Sequence, residues 1–352
     1  MLWLSTPVLV LSASSGGIAP TSMLDAALLL SSDAMAAAYG TTVLDRLRPQ
    51  VGNLTLITPG SSWRDYAKQL QSVEVIFSGW GAPLMDEEFL QAVPQLKIVF
   101  YAGGSVRYFT TPALWHRGVR LTTAQAINAI PVSEYVFAAV LLGLKRVWHY
   151  ARVTRESRDF PVERPMPGGF GSMVGLVSYG TIARLVRQKL KALEVEVLVY
   201  DPFLSPEEAV AEQVAKVGLN ELFASADVVS VHTPALPETS GLIGKKQLTL
   251  MKPGALFLNT ARGEVVDEPA MIDVLRMRTD LQAVLDVTFP EPPGPESPLY
   301  QLPNVVLTPH IAGSVGAECE RMGVAMVEEF ERYQAGLPLL WEMTAERAAR
   351  IA

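Results

Sequence analysis

From residue 26 onward the chain alternates short apolar runs with longer stretches of helical pattern, and that alternation constrains the fold more than any other feature. Runs at 26–30, 54–58, 73–78, 96–101 and 119–122 form a first series, and those at 173–178, 195–201 and 228–232 begin a second. Short apolar runs closed by turn residues read as strands buried on both faces. Strands that alternate with helices enter a sheet in parallel through right-handed crossovers. The expected fold class is α/β, with two Rossmann-like or flavodoxin-like domains built on parallel sheets.

Three further runs complete the second series, and each is followed by one polar side chain suited to reducing a keto acid. The run 255–259 leads to Arg262, the run 283–287 to Glu291, and the run 305–308 to His310. In open α/β sheets ligands sit just beyond the carboxyl ends of the strands, so these three side chains are expected to converge. Arginine offers a planar fork of donors that grips a carboxylate in bidentate fashion, and its charge polarises a neighbouring keto oxygen. Histidine delivers or takes a proton near neutral pH, as a carbonyl requires when hydride reaches its carbon. A carboxylate against the imidazole fixes its tautomer.

The connecting segments set the domain plan. Pro131 is expected at the first turn of a buried helix over 132–144, placed between the domains. Residues 152–171, rich in charge, Pro and Gly, read as an irregular loop. A helix over about 316–333 is expected to return the chain to the first domain. The division that follows is 23–126 with 315–352 as a substrate domain, and 127–314 as a cofactor domain inserted into it. Residues 1–22 read as an extension: the apolar stretches there are broken by Pro7, lack a preceding Lys or Arg, and are too short to span a bilayer.

Composition narrows the partners. The 352 residues suit two domains of ordinary size. A net charge of −7, without basic blocks, argues against nucleic acid and anionic membranes and for a small soluble ligand. The single cysteine, Cys319, excludes an internal disulfide and points to the cytoplasm. Four histidines without paired ligand spacing suggest no metal.

The turn after the run at 173 reads Ser178-Tyr179-Gly180-Thr181-Ile182-Ala183, where a dinucleotide fingerprint would read G-x-G-x-x-G. Gly180 keeps the central position that lets a pyrophosphate approach the backbone, and alanine is accepted at the third position. Ser178 departs from the pattern. The loop is expected to have settled into an ordinary backbone conformation there, with the hydroxyl bonded locally or to the cofactor. Asp201 lies 21 residues beyond Gly180, where a carboxylate accepts ribose hydroxyls and repels the extra phosphate of NADP, so NAD is the expected cofactor.

In order along the chain, the segments Asp227-Val228-Val229-Ser230-Val231-His232-Thr233-Pro234, Met251-Lys252-Pro253-Gly254 through Asn259-Thr260-Ala261-Arg262-Gly263, Leu285-Asp286-Val287 with Pro290-Glu291-Pro292, and Thr308-Pro309-His310-Ile311-Ala312-Gly313 resemble the D-isomer specific 2-hydroxyacid dehydrogenase family. The resemblance implies that Arg262 binds substrate, that Glu291 orients the imidazole and that His310 is the acid/base. It also implies substrate contacts at Gly103, Gly104 and Ser105. Cofactor contacts are expected at Tyr179, Gly180, Thr181, Ile182, Asp201 and Pro202. Further cofactor contacts are expected from Thr233, Pro234 and Thr239, from Thr260, Ala261 and Arg262, and from Asp286, His310, Ala312 and Gly313. Besides Ser178, two residues depart from the family's usual pattern: Arg107 stands in place of an acidic or amide residue, and Tyr135 in place of a common histidine. The expected partners are a small 2-keto or 2-hydroxy acid and a second copy of the chain. A redox-sensing protein that binds NAD(H) with little turnover is the alternative from another class.

Overall fold

The structure, a computed structural model, describes residues 23–57 and 61–351. The extension expected at 1–22 and the end of the run at 54–58 lie outside the described residues.

Two sheets account for all the strands among the described residues. The first contains β1 (Ala26–Leu29), β2 (Leu54–Leu56), β3 (Val75–Gly79), β4 (Ile98–Ala102) and β5 (Arg120–Thr123). The second contains β6 (Met173–Val177), β7 (Glu196–Tyr200), β8 (Ala215–Lys216), β9 (Val228–Val231), β10 (Leu256–Asn259), β11 (Gln282–Leu285) and β12 (Val305–Leu307). The chain then returns to the first sheet as β13 (Glu342–Met343), antiparallel to β5, while every other pairing is parallel. The strand orders are 13-5-4-3-1-2 and 12-11-10-9-6-7-8. The first is the flavodoxin-like order with an added edge, and the second is the Rossmann order carried one strand further. Each order reverses beside its first strand, between β1 and β3 and between β6 and β9, and those switch points open crevices at the carboxyl edge.

Burial on both faces is why the strands read as unbroken apolar runs. In β1, Ala26 and Leu28 join one core layer while Ala27 and Leu29 join the other. In β10, Leu256 and Leu258 face one layer and Phe257 the opposite one. The helix Glu318–Gln334 closes the first domain: Met322, Met326 and Phe330 enter the layer that holds Phe77 and Phe100, and Cys319 is buried there.

Three expectations about the connections are revised. The helix expected from residue 132 is Gln125–Leu144, with Pro131 in its interior. Its apolar face, carrying Val132, Val136, Val140 and Leu144, packs on the second sheet and outweighs the hydrogen bond that proline removes. A side chain at Gly143 would come within 2.4 Å of Leu256, so the helix lies close on β10. This helix is long and apolar enough to cross a membrane by length and composition, but half of that stretch is buried within the protein. The loop expected at 152–171 begins later, because residues Val147–Ser157 form a helix between two left-handed residues, Arg146 and Arg158. Its Arg152–Glu156 pair, 3.2 Å apart one turn on, supports a polar surface helix that shows no apolar run. The short edge strands β8 and β13 had no signal in the sequence, each being two residues long.

Candidate active site

The three polar side chains lie in the loops after β10, β11 and β12, which are neighbours in the sheet. Arg262 is held by its own turn. Asn259 at the end of β10 donates to Arg262 O at 3.0 Å and accepts from Ala261 N at 3.0 Å, while Arg262 Nη1 donates to Ala261 O at 2.6 Å. The side chain is partly buried. Burial pulls its pKa below the ordinary arginine value, and the carboxylates of Glu264 and Glu291 pull the other way. Its other nitrogens have no hydrogen-bond partner among the described residues. A partly buried cation with donors to spare suits an anion.

Gly263 lets this turn approach the next. A Cβ there would stand 2.1 Å from the backbone carbon of Thr288, so only glycine permits the contact between the Arg262 turn and the segment leading to Glu291. Glu291 follows between two cis prolyl bonds. Its Oε1 lies 2.6 Å from His310 Nδ1, and both side chains are nearly half exposed. Arg262 also feels the charge of Glu291. His310 has φ +53°, in the left-handed region.

At the switch point of the second sheet, Ser178 adopts φ +71°, which corrects the expectation of an ordinary backbone there. The turn keeps the shape that a first glycine normally serves. Local bonding of the hydroxyl is present: Ser178 Oγ lies 2.9 Å from Thr233 Oγ1. Thr233 Oγ1 also lies 3.3 Å from Val177 O, and the hydroxyl pair joins the β6 and β9 loops across the crevice. Gly180 caps the helix Thr181–Leu190, whose first residues are Thr181 and Ile182, and a Cβ at Gly180 would meet nothing within 4 Å. The helix N-terminus therefore opens onto free space suited to an anion.

Asp201, just after β7, shapes the adjoining turns. Oδ2 accepts from Tyr179 N at 2.7 Å, and Oδ1 accepts from Phe203 N at 2.7 Å and Leu204 N at 3.1 Å, with Pro202 exposed between them. Thr239 closes the loop that begins at Thr233 and Pro234, donating to Pro234 O at 2.6 Å and accepting from Leu236 N at 2.8 Å. Asp286 is buried. Its Oδ1 accepts from Thr308 Oγ1 at 2.6 Å and Ile311 N at 2.9 Å, and its Oδ2 accepts from Ala312 N at 2.9 Å. Asp286 and Thr239 both fasten the loops in which a cofactor contact was expected.

On the first sheet, the turn after β4 holds Gly103, Gly104 and Ser105. Gly103 N donates to Tyr101 O at 2.9 Å, so the amides left without a partner among the described residues are those of Gly104 and Ser105. The bare Cα of Gly103 has a steric reason: a Cβ would meet the Tyr101 ring at 2.6 Å. Arg107, in the same loop, donates through Nη1 to Ala235 O beside the cofactor loop.

The residues present fit a dinucleotide along this edge. Besides the open helix end, the buried Thr260 Oγ1 and His232 Nδ1 have no hydrogen-bond partner among the described residues, and both belong to loops at the same carboxyl edge. Burial lowers the His232 pKa to about 3, so this imidazole is neutral. Asn259, Asn128 and Thr308 were not anticipated as site residues. For Asn259 the signal was available, since an asparagine that ends a strand before a tight turn commonly bonds the backbone just ahead. The other two act through long-range contacts that spacing does not show.

The model of the D-isomer specific 2-hydroxyacid dehydrogenase NAD-binding domain matches residues 137–312. The D-3-phosphoglycerate dehydrogenase of Archaeoglobus fulgidus is 37% identical over 72% of this chain and 48% of its own length. The glyoxylate reductase of Korarchaeum cryptofilum is 30% identical over 72% of this chain and 77% of its own length. A crystal structure of a Thermus thermophilus protein superposes with a TM-score of 0.73 at 28% identity, covering 91% of this chain and 100% of that one. The chain spans about half the length of the phosphoglycerate dehydrogenases it matches.

Proposed function

Because the chain belongs to the D-isomer specific 2-hydroxyacid dehydrogenase family, we propose that it transfers hydride between NAD(H) and a small 2-keto or 2-hydroxy acid of the D series. One observation carries this reading. Arg262, partly buried and with most of its donors unmatched, feels the charge of the carboxylate that is paired to His310. A cation without a partner asks for an anionic ligand, and a paired imidazole suits a proton transfer.

NAD is the cofactor, and when bound it supplies or accepts the hydride. The protein's residues do the rest. Arg262 grips the carboxylate and polarises the keto oxygen, with the free amides of Gly104 and Ser105 on the facing loop as further donors to the carboxylate. His310, held through Nδ1 by Glu291, presents Nε2 to the substrate oxygen and gives it a proton as the carbonyl is reduced. In the reverse direction the same nitrogen takes the hydroxyl proton. Asp201 favours NAD over NADP through its charge at the end of β7.

We take residues 23–126 with 315–352 as the substrate domain and 127–314 as the cofactor domain, because the helix Glu318–Gln334 packs on the first sheet and the helix Gln125–Leu144 on the second. A cytoplasmic homodimer suits this reading, and the exposed Phe160, Val162 and Phe170 offer apolar surface for a second copy to cover. Calorimetric titration of oxalate into the NAD-loaded protein tests the anion site. Binding that Arg262→Ala removes while NAD still binds supports the proposal. Equal oxalate binding by both proteins contradicts it.

A further inference from the structure

Two side chains on the helix Gln125–Leu144 hold the two ends of the segment that carries His310. Asn128 Oδ1 accepts from Ser314 N at 2.8 Å, and Tyr135 OH lies 3.0 Å from Thr308 Oγ1. Asn128 and Tyr135 are seven residues apart, about two turns, and so share one face of the helix. Thr308 gives its only hydroxyl hydrogen to Asp286 Oδ1, which makes the Tyr135 phenol the donor in the outer bond.

Between those two anchors Asp286 fastens the middle of the segment. Its carboxylate accepts from Ile311 N and Ala312 N, and its carbonyl accepts from His310 N at 3.0 Å. His310 sits at φ +53°, a conformation that costs an L-residue about 1–2 kcal/mol and persists only where the surroundings over-determine it. Asn128 also faces the first sheet's loop: a Cβ added at Gly104 would lie 3.5 Å from its Nδ2, and one added at Gly313 would lie 3.3 Å from its Oδ1.

We propose that Asn128 and Tyr135 are positioning residues, through which the helix Gln125–Leu144 acts as a splint that clamps Thr308 and Ser314 and so aims the His310 imidazole. The inference rests on the acid/base role given to His310 above. Tyr135 is its most specific element, since its phenol donates to a threonine that itself donates to Asp286. The phenol reaches His310 only through Thr308 and Asp286, so it acts on orientation and not on the reacting atoms.

The test measures amide hydrogen exchange across 308–314 in the full-length protein, together with kcat and KM for NADH-dependent reduction of glyoxylate and hydroxypyruvate. Tyr135→Phe and Thr308→Val are expected to speed exchange at Ile311 and Ala312 by about tenfold or more. They should lower kcat by roughly tenfold to hundredfold, since small misplacements are costly in a reacting geometry, with KM for NADH unchanged. Thr308→Ser keeps the hydroxyl and should restore both readouts, which a general packing defect would not show. Asn128→Ala should loosen exchange at Ser314. Parental exchange in Tyr135→Phe, or a Thr308→Ser variant as impaired as Thr308→Val, overturns the proposal. The exchange readout needs no substrate, so it separates this inference from the proposed reaction: loosened exchange supports the splint even if His310→Gln keeps full turnover, a result that removes the acid role alone.

Discussion

Glu291 Oε1 stands 2.6 Å from Nδ1 of His310, which leaves Nε2 as the ring nitrogen available to a substrate. Both groups are nearly half exposed, so the pair contributes little to stability and its worth lies in orientation. His310→Gln should lower turnover by a factor on the order of 100 to 10,000 with NADH binding nearly intact. Glu291→Gln keeps the shape but loses the charge, and should lower kcat less than His310→Gln does. Steady-state kinetics beside a fluorescence titration of NADH check both. A Glu291→Gln loss equal to or greater than that of His310→Gln would argue against an orienting role.

Arg262 is replaced poorly by lysine, because a point charge cannot copy a bidentate fork. Arg262→Lys should raise KM for the keto acid by at least roughly a hundredfold, the equivalent of about 2.7 kcal/mol. NADH affinity should move far less. Normal keto-acid kinetics in this variant would remove Arg262 from the substrate site.

Ser178 holds a left-handed backbone and a hydrogen bond to Thr233 at once. The conformation costs about 1–2 kcal/mol, and the bond returns about 0.5–1.5 kcal/mol. Ser178→Gly removes both and should change stability by less than about 1 kcal/mol, while Ser178→Ala keeps the strain without the bond and should lose about 1 kcal/mol. Urea unfolding of the three proteins decides the order. An alanine variant as stable as the parent would show that the hydroxyl does not offset the strain.

Asp201 combines selectivity with loop structure. Asp201→Ala should narrow the preference for NADH over NADPH, and should also cost roughly 1–3 kcal/mol of stability, because the amides of Tyr179, Phe203 and Leu204 lose their acceptor. Comparing kcat/KM for the two cofactors tests the first effect and chemical denaturation the second. Equal use of both cofactors by the parent protein would contradict the role in selectivity.

The sequence showed the strands because buried parallel strands must be apolar throughout, so a polar side chain just past such a run stands out. The placement of Arg262, Glu291 and His310 in the loops after three neighbouring strands was legible for that reason. The helix Val147–Ser157 was not, because its polar surface pattern resembles the loop that follows. Ser178 misled in one respect: its identity suggested a relaxed backbone, yet in the tight turn from β6 into the helix Thr181–Leu190 it takes φ +71°. Asn128, Tyr135 and Thr308 meet only in three dimensions, Tyr135 and Thr308 being 173 positions apart, and no local pattern encodes such a contact.

The central claim is that the chain reduces 2-keto acids with NADH at the Arg262, Glu291 and His310 site. Loss of NADH absorbance, followed across glyoxylate, hydroxypyruvate, pyruvate, phosphohydroxypyruvate and longer 2-keto acids with chiral analysis of the products, tests it most directly. The account predicts turnover with at least one of them, formation of the D-hydroxy acid from any prochiral substrate, and loss of that turnover in His310→Gln. Tight NADH binding with no turnover across the panel would contradict the account and favour a cofactor-sensing protein instead.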